Sequence, residues 1–69
     1  MKYYVLIVSN GNLVINSITE WSTLDSAKGK FHEVCALYWK DASVTDATIA
    51  IVDSQLNTVD GCREAIHKA

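Results

Sequence analysis

From Lys2 to Val8 the chain is apolar in both alternating sets of positions, Tyr3/Val5/Ile7 and Tyr4/Leu6/Val8. A short run that is apolar on both sides and rich in aromatic and β-branched residues predicts a central β-strand. Ser9-Asn10-Gly11-Asn12 follows, and its Asn-Gly pair tolerates the positive φ angles of a tight hairpin turn. The returning strand, Leu13 to about Trp21, is more edge-like. Strict alternation sets Leu13, Ile15 and Trp21 on one face, and Val14, Asn16, Ile18 and Glu20 on the other.

The period then changes. Ser22-Thr23-Leu24-Asp25 carries the S-x-x-D pattern of a helix start, with a hydroxyl to cap an orphan N–H and a carboxylate near the positive helix end. From Leu24 onward Ala27, Phe31, Val34, Cys35 and Tyr38 recur at three- and four-residue steps, opposite Ser26, Lys30, Glu33 and Lys40. That is one amphipathic helix with a core-facing stripe. Residues 42–46 end it, and Ala47 to Val52 is a second strand apolar on both sides. Asp53-Ser54-Gln55-Leu56-Asn57 has turn chemistry and points to another hairpin.

Two patterns fit the tail, Asn57 to His67. As a strand it sets Val59 and Ala65 on one face and Cys62 and Ile66 on the other; as a helix, Cys62, Ala65, Ile66 and Ala69 share a side. The strand is preferred because it pairs the otherwise unpartnered strand before it. The expected fold is therefore α+β, ββαββ, over residues 1–69 as a single domain. Its four-stranded antiparallel sheet has order 2-1-3-4, with the helix on one face and the two most apolar strands in the middle. Half of the apolar residues in those strands must face away from the helix, so self-association through the open sheet face is expected.

Composition narrows the function. At 69 residues a single core is barely sufficient, so a staple is expected, and two cysteines are too few for a disulfide framework. Met1-Lys2 leads directly into strand-like sequence without a leader pattern, which makes the cytoplasm the expected compartment and both thiols reduced. A formal charge of −2 offers no electrostatic footprint for duplex nucleic acid, and no run is long and apolar enough to suggest a membrane partner.

Candidate chemistry is sparse. His32 with Cys35, and Cys62 with His67, are residue types that zinc prefers, but their spacing matches no zinc motif. Cys35 lies more than two turns from the helix start, Asp53 and Asp60 have local turn roles, and the three glycines are isolated. No enzymatic activity, metal or cofactor is expected. Binding remains. Trp39, Ala36 and His32 form a stripe flanking the core face, either core edge or partner anchor. Tyr3, Tyr4 and Trp21 offer one or two rings to the open sheet face, and Arg63, the single arginine, is either an exposed charge blunting an edge strand or the bidentate donor for an anionic ligand at a protomer interface.

Several segments in order complete the picture: Lys2-Tyr3-Tyr4-Val5-Leu6, Asn10-Gly11, Ser22 to Lys28, Lys30-Phe31-His32 with Cys35, and Val52-Asp53 followed by Leu56-Asn57. Over nearly its whole length the chain resembles a class of small proteins from bacteriophages, prophages and their gut bacterial hosts, to which no activity is assigned. The resemblance implies an accessory product with no catalytic residues to carry over. It also implies action by binding in the host cell: counter-defence, through capture of a host protein or sequestration of a nucleotide immune signal between subunits, the alternative being a structural or regulatory component that associates with itself and takes no small ligand.

Overall fold

In the computed structural model, which describes residues 1–68, strand β1 spans Tyr3–Ser9 and β2 spans Asn12–Leu13. Asn10 and Gly11 between them have φ of 50° and 85°, the two consecutive positive angles of a tight primed turn. Asn10 has a second task. Its Oδ1 accepts hydrogen bonds from the backbone N–H groups of Thr45 and Asp46, each at 3.2 Å, and from the Thr45 hydroxyl at 3.1 Å. The hairpin is thereby tied to the start of the third long segment of chain.

The second strand is not continuous. After β2 a 3₁₀ turn occupies Ile15–Ser17, and pairing resumes in β3, Thr19–Trp21. Continuing the Val8–Leu13 register would set Val5 against Asn16, but Val5 faces Thr19, three residues further on. An odd insertion inverts the alternation. Leu13 therefore opposes Val8 on one face of the sheet while Trp21 opposes Tyr3 on the other, which corrects the expectation that Leu13 and Trp21 share a face. The sheet accordingly has five strands where four were expected.

Helix α1 runs Leu24–Lys40, and the cap is Thr23, one residue later than Ser22: its Oγ1 accepts the Ser26 N–H at 3.3 Å. Ala27, Phe31, Val34 and Cys35 are buried as the periodicity predicts, with Leu24 and Tyr38 packed beside them. At the far end Lys68 reaches back, its Nζ donating to the carbonyl of Tyr38 at 2.8 Å, an acceptor in the last turn of the helix, and to that of Asp41 at 2.7 Å, which also accepts the Val44 N–H at 3.1 Å. The Asp41 carboxylate accepts from the hydroxyl and N–H of Ser43. Those two bonds, and then the charge of Lys68, hold its pKa below the ordinary value.

Strands β4, Asp46–Asp53, and β5, Thr58–His67, form the second hairpin, so the tail is a strand. Ala69, part of the helical alternative, lies outside the described residues. A second odd offset occurs here. The Ala50–Arg63 register would bring Gly61 to Val52, but Val52 faces Thr58, and Gly61 sits in the intervening bulge at φ 75°. Val59 consequently packs against the core with Cys62 and Ile66, and Ala65 is exposed. This corrects the expectation from strict alternation that Val59 and Ala65 share a face.

The long strands run in the order β2-β1-β4-β5, all antiparallel, with β3 also on the free edge of β1. Val5, Ile7, Ile49, Ile51 and Ile66 face α1 and are nearly or completely inaccessible, making one core with Phe31 and Val34. No helix among the described residues is long and apolar enough to cross a membrane.

Candidate functional site

The alternation that feeds this core sends every second strand residue to the opposite face, where the registers define three rows. Glu20, Tyr4, Val52 and Thr58 lie in one; Leu6, Ala50 and Arg63 in the next; Leu13, Val8, Thr48 and Ala65 in the third. α1 packs on the other side. Val52 is buried within its row and yet stands outside the core cluster, as a residue of this second face should. Val8 is 40% and Leu13 51% exposed. Isolated exposed aliphatics are ordinary, whereas contiguous ones in a sheet are a feature to explain.

The face is lopsided. Its apolar bulk lies on β1 and β2, in Tyr4, Leu6, Val8 and Leu13, whereas β4 and β5 present the small Thr48, Ala50, Thr58 and Ala65 beside Val52 and the charged Arg63. Its charged residues lie at the edges, and Asp46 of β4 opposes His67 of β5. Glu20, on β3, is paired with Lys2 at 3.2 Å through one carboxylate oxygen, while Arg63 stands on β5 with His67 further along the same edge. Lys2–Glu20 is the only ion pair among the described residues, so the Arg63 guanidinium is unspent.

The five residues expected at a site do not meet. Tyr4 and Arg63 share the open face, in adjacent rows. Trp21 is on the helix side, packed on the core edge, with its indole N–H donating to Thr19 Oγ1 at 2.8 Å. Trp39 and His32 lie on the flank of α1 towards β5. The Trp39 indole donates to Glu64 Oε2 at 2.9 Å, and the exposed His32 ring meets Phe31 edge-on, centroids 5.4 Å apart. The sheet itself separates the two sets. Sequence reasoning passed over Glu64, although its spacing of two from both Cys62 and Ile66 places it on the helix side, where a carboxylate needs a donor.

Both cysteines are buried and free. Burial, and secondarily the charge of Glu64, raise the Cys35 pKa, so the thiol stays protonated at neutral pH and is a poor nucleophile. His32 and His67 are exposed while the thiols face the core. Among the described residues no three His, Cys, Asp or Glu side chains gather as a metal site. No protein-family model, curated protein or solved structure matches the chain, and the functional reading rests on the geometry.

Proposed function

We propose that the protein is a non-enzymatic binding protein that works as a homodimer, two copies packed through their open sheet faces. The observation that carries this reading is the lopsidedness of that face. A two-fold axis lying in the interface parallel to β1 and β4 lays the β1–β2 half of one copy on the β4–β5 half of the other. Leu6, Val8 and Leu13 then meet Ala50, Thr48 and Ala65, bulk against hollow, Tyr4 stacks on Val52, and the Arg63 edge comes over the Glu20 edge. A self-complementary patch is what an isologous interface requires. Aligned packing of two such faces is the ordinary arrangement of sheets in sandwiches.

Sedimentation velocity over a micromolar concentration series tests the dimer. Val8→Lys with Leu13→Lys should give a monomer with an unchanged circular dichroism spectrum, because both positions are already exposed. A wild-type chain that remains monomeric throughout the series overturns the proposal.

The rim of that interface is where a ligand fits best. Arg63 offers a planar, bidentate donor without a carboxylate partner among the described residues of its own copy, and a nucleotide-type anion would compete for it with the rim contact to Glu20, while Tyr4 is an aromatic ring on the same face. This agrees with the accessory, signal-sequestering role that the phage-type resemblance implies. A panel of cyclic and linear nucleotides should raise the melting temperature of the wild type, and Arg63→Ala should abolish the shift. A panel without effect leaves the dimer standing and removes the nucleotide.

A further inference from the structure

On the opposite side of the sheet, between α1 and the 3₁₀ turn, lies a cleft of about 310 Å³. That volume is at the lower end of small-molecule sites, which begin near roughly 300 Å³. Its apolar lining is Ile7 of β1 and Val34 of α1, both buried, with the partly buried Tyr38 and the exposed Leu37 beside them. Its rim is polar. Asn16 and Ser17 come from the 3₁₀ turn, Thr19 from β3, and Lys30 from the helix.

The rim has unspent donors. Lys30 is half-buried and forms no ion pair among the described residues, and no carboxylate lines the cleft. The side chains of Asn16 and Ser17 make no hydrogen bond among the described residues. Thr19 Oγ1 accepts from Trp21, which leaves its own proton to donate. One partly desolvated ammonium, with two hydroxyls and an amide around it, favours a single negative charge. The apolar lining favours an apolar body attached to that charge. The three-residue insertion that breaks the second strand is what carries Asn16 and Ser17 to this rim.

We infer that this cleft binds a small organic monoanion with an apolar body, a short-chain or aryl carboxylate, with Lys30 as its counter-ion. Lys30 is reached by helical spacing: it stands four residues before Val34 and eight before Tyr38, on the flank of the core stripe, and not on the fully exposed face where the polar residues of the helix were expected. Trp39 and His32 occupy the other flank. Because the cleft is on the helix side, the inference is independent of the dimer.

Amide-resolved NMR titration of the full chain tests it, with hexanoate and benzoate as probes against hexanamide, benzamide and inorganic phosphate. The carboxylates should shift amides confined to residues 16–19 and 30–38 and to Ile7. Lys30→Met, which keeps the aliphatic stem, should weaken them about tenfold, in line with the loss of one hydrogen bond from a charged donor. Asn16→Ala, at an exposed position, should weaken them less and provides a second readout if Lys30→Met perturbs folding. Amides that bind as well as the acids, shifts that survive Lys30→Met unchanged, or no localised shift with either acid would each overturn the assignment. Phosphate binding tighter than both acids would also overturn it, by showing that the apolar lining contributes nothing.

Discussion

Leu56 breaks two local rules at once. It occupies the left-handed region at φ 65° at the tip of the β4–β5 hairpin, and its side chain is 74% exposed. The surrounding turn imposes that conformation. Asp53 Oδ1 accepts the N–H groups of Gln55 and Asn57, at 2.9 and 3.0 Å, and the Leu56 N–H donates to the Asp53 carbonyl at 3.0 Å. A residue with a Cβ is disfavoured there by about 1–2 kcal/mol, part of which glycine returns through the greater freedom it has when unfolded. Leu56→Gly should therefore stabilise the fold by about 0.5–1 kcal/mol, read as a higher urea midpoint at constant slope. Cys35 gives a residue-scale prediction of a different kind. In the unfolded chain its thiol ionises near the ordinary 9.0, and in the native core only at higher pH. Below that ordinary value both states keep the proton and the site has no effect. Above it the unfolded chain releases the proton first, so stability falls as pH rises towards the native value. Cys35→Ala should show a shallower alkaline decline than the wild type in urea titrations repeated across that window.

At the scale of elements, what was legible was whatever repeats with a fixed period. The helix stripe Ala27, Phe31, Val34 and Cys35, the two-sided strands and the Asn10-Gly11 turn all follow from spacing and turn chemistry, and each stands where expected. What escaped were two odd insertions, at Ile15–Ser17 and around Gly61, each of which inverts the faces beyond it. Alternation cannot reveal its own interruption: Val14 to Ile18 and Val59 to Cys62 are locally plausible strand, and only pairing with β1 and β4 selects the offset. The candidate site was half legible for the same reason. Tyr4 and Arg63 come to share the open face, while Trp21 is carried to the other by a register set after the insertion. Gly61 was the available signal in the tail, since an isolated glycine inside a strand pattern marks a bulge. At Gly61 an added Cβ would meet nothing within 4 Å, so the cost of Gly61→Ala is one of backbone conformation alone. A loss of about 1–2 kcal/mol is expected in urea denaturation. A neutral result would mean that the bulge relaxes to a conformation with negative φ.

For the whole molecule the question is how strongly the proposed dimer holds. The open face is four strand columns wide at about 4.8 Å each and some seven residues deep at about 3.3 Å, or roughly 19 by 23 Å. Two such faces bury on the order of 1,000 Å² in total, close to the lower bound for a specific interface. Area does not translate directly into affinity, but so small a face, with no aromatic anchor beyond Tyr4, belongs among weak interfaces with micromolar dissociation. Its charges do little to change that. Arg63 and Glu20 would meet at the exposed rim, where an ion pair contributes about 0–1 kcal/mol and is screened by salt. Glu20 also already holds Lys2. The apolar centre, Leu6 and Val8 against Ala50 and Thr48, must supply the association, and it does not respond to screening. Sedimentation should thus find a micromolar dissociation constant that rises by less than about fivefold between low and high salt, the loss of at most one rim pair. A dimer dispersed by salt alone would place its energy in the charged edges. The bulk-on-hollow packing of the two faces would then be the wrong description of how the copies meet.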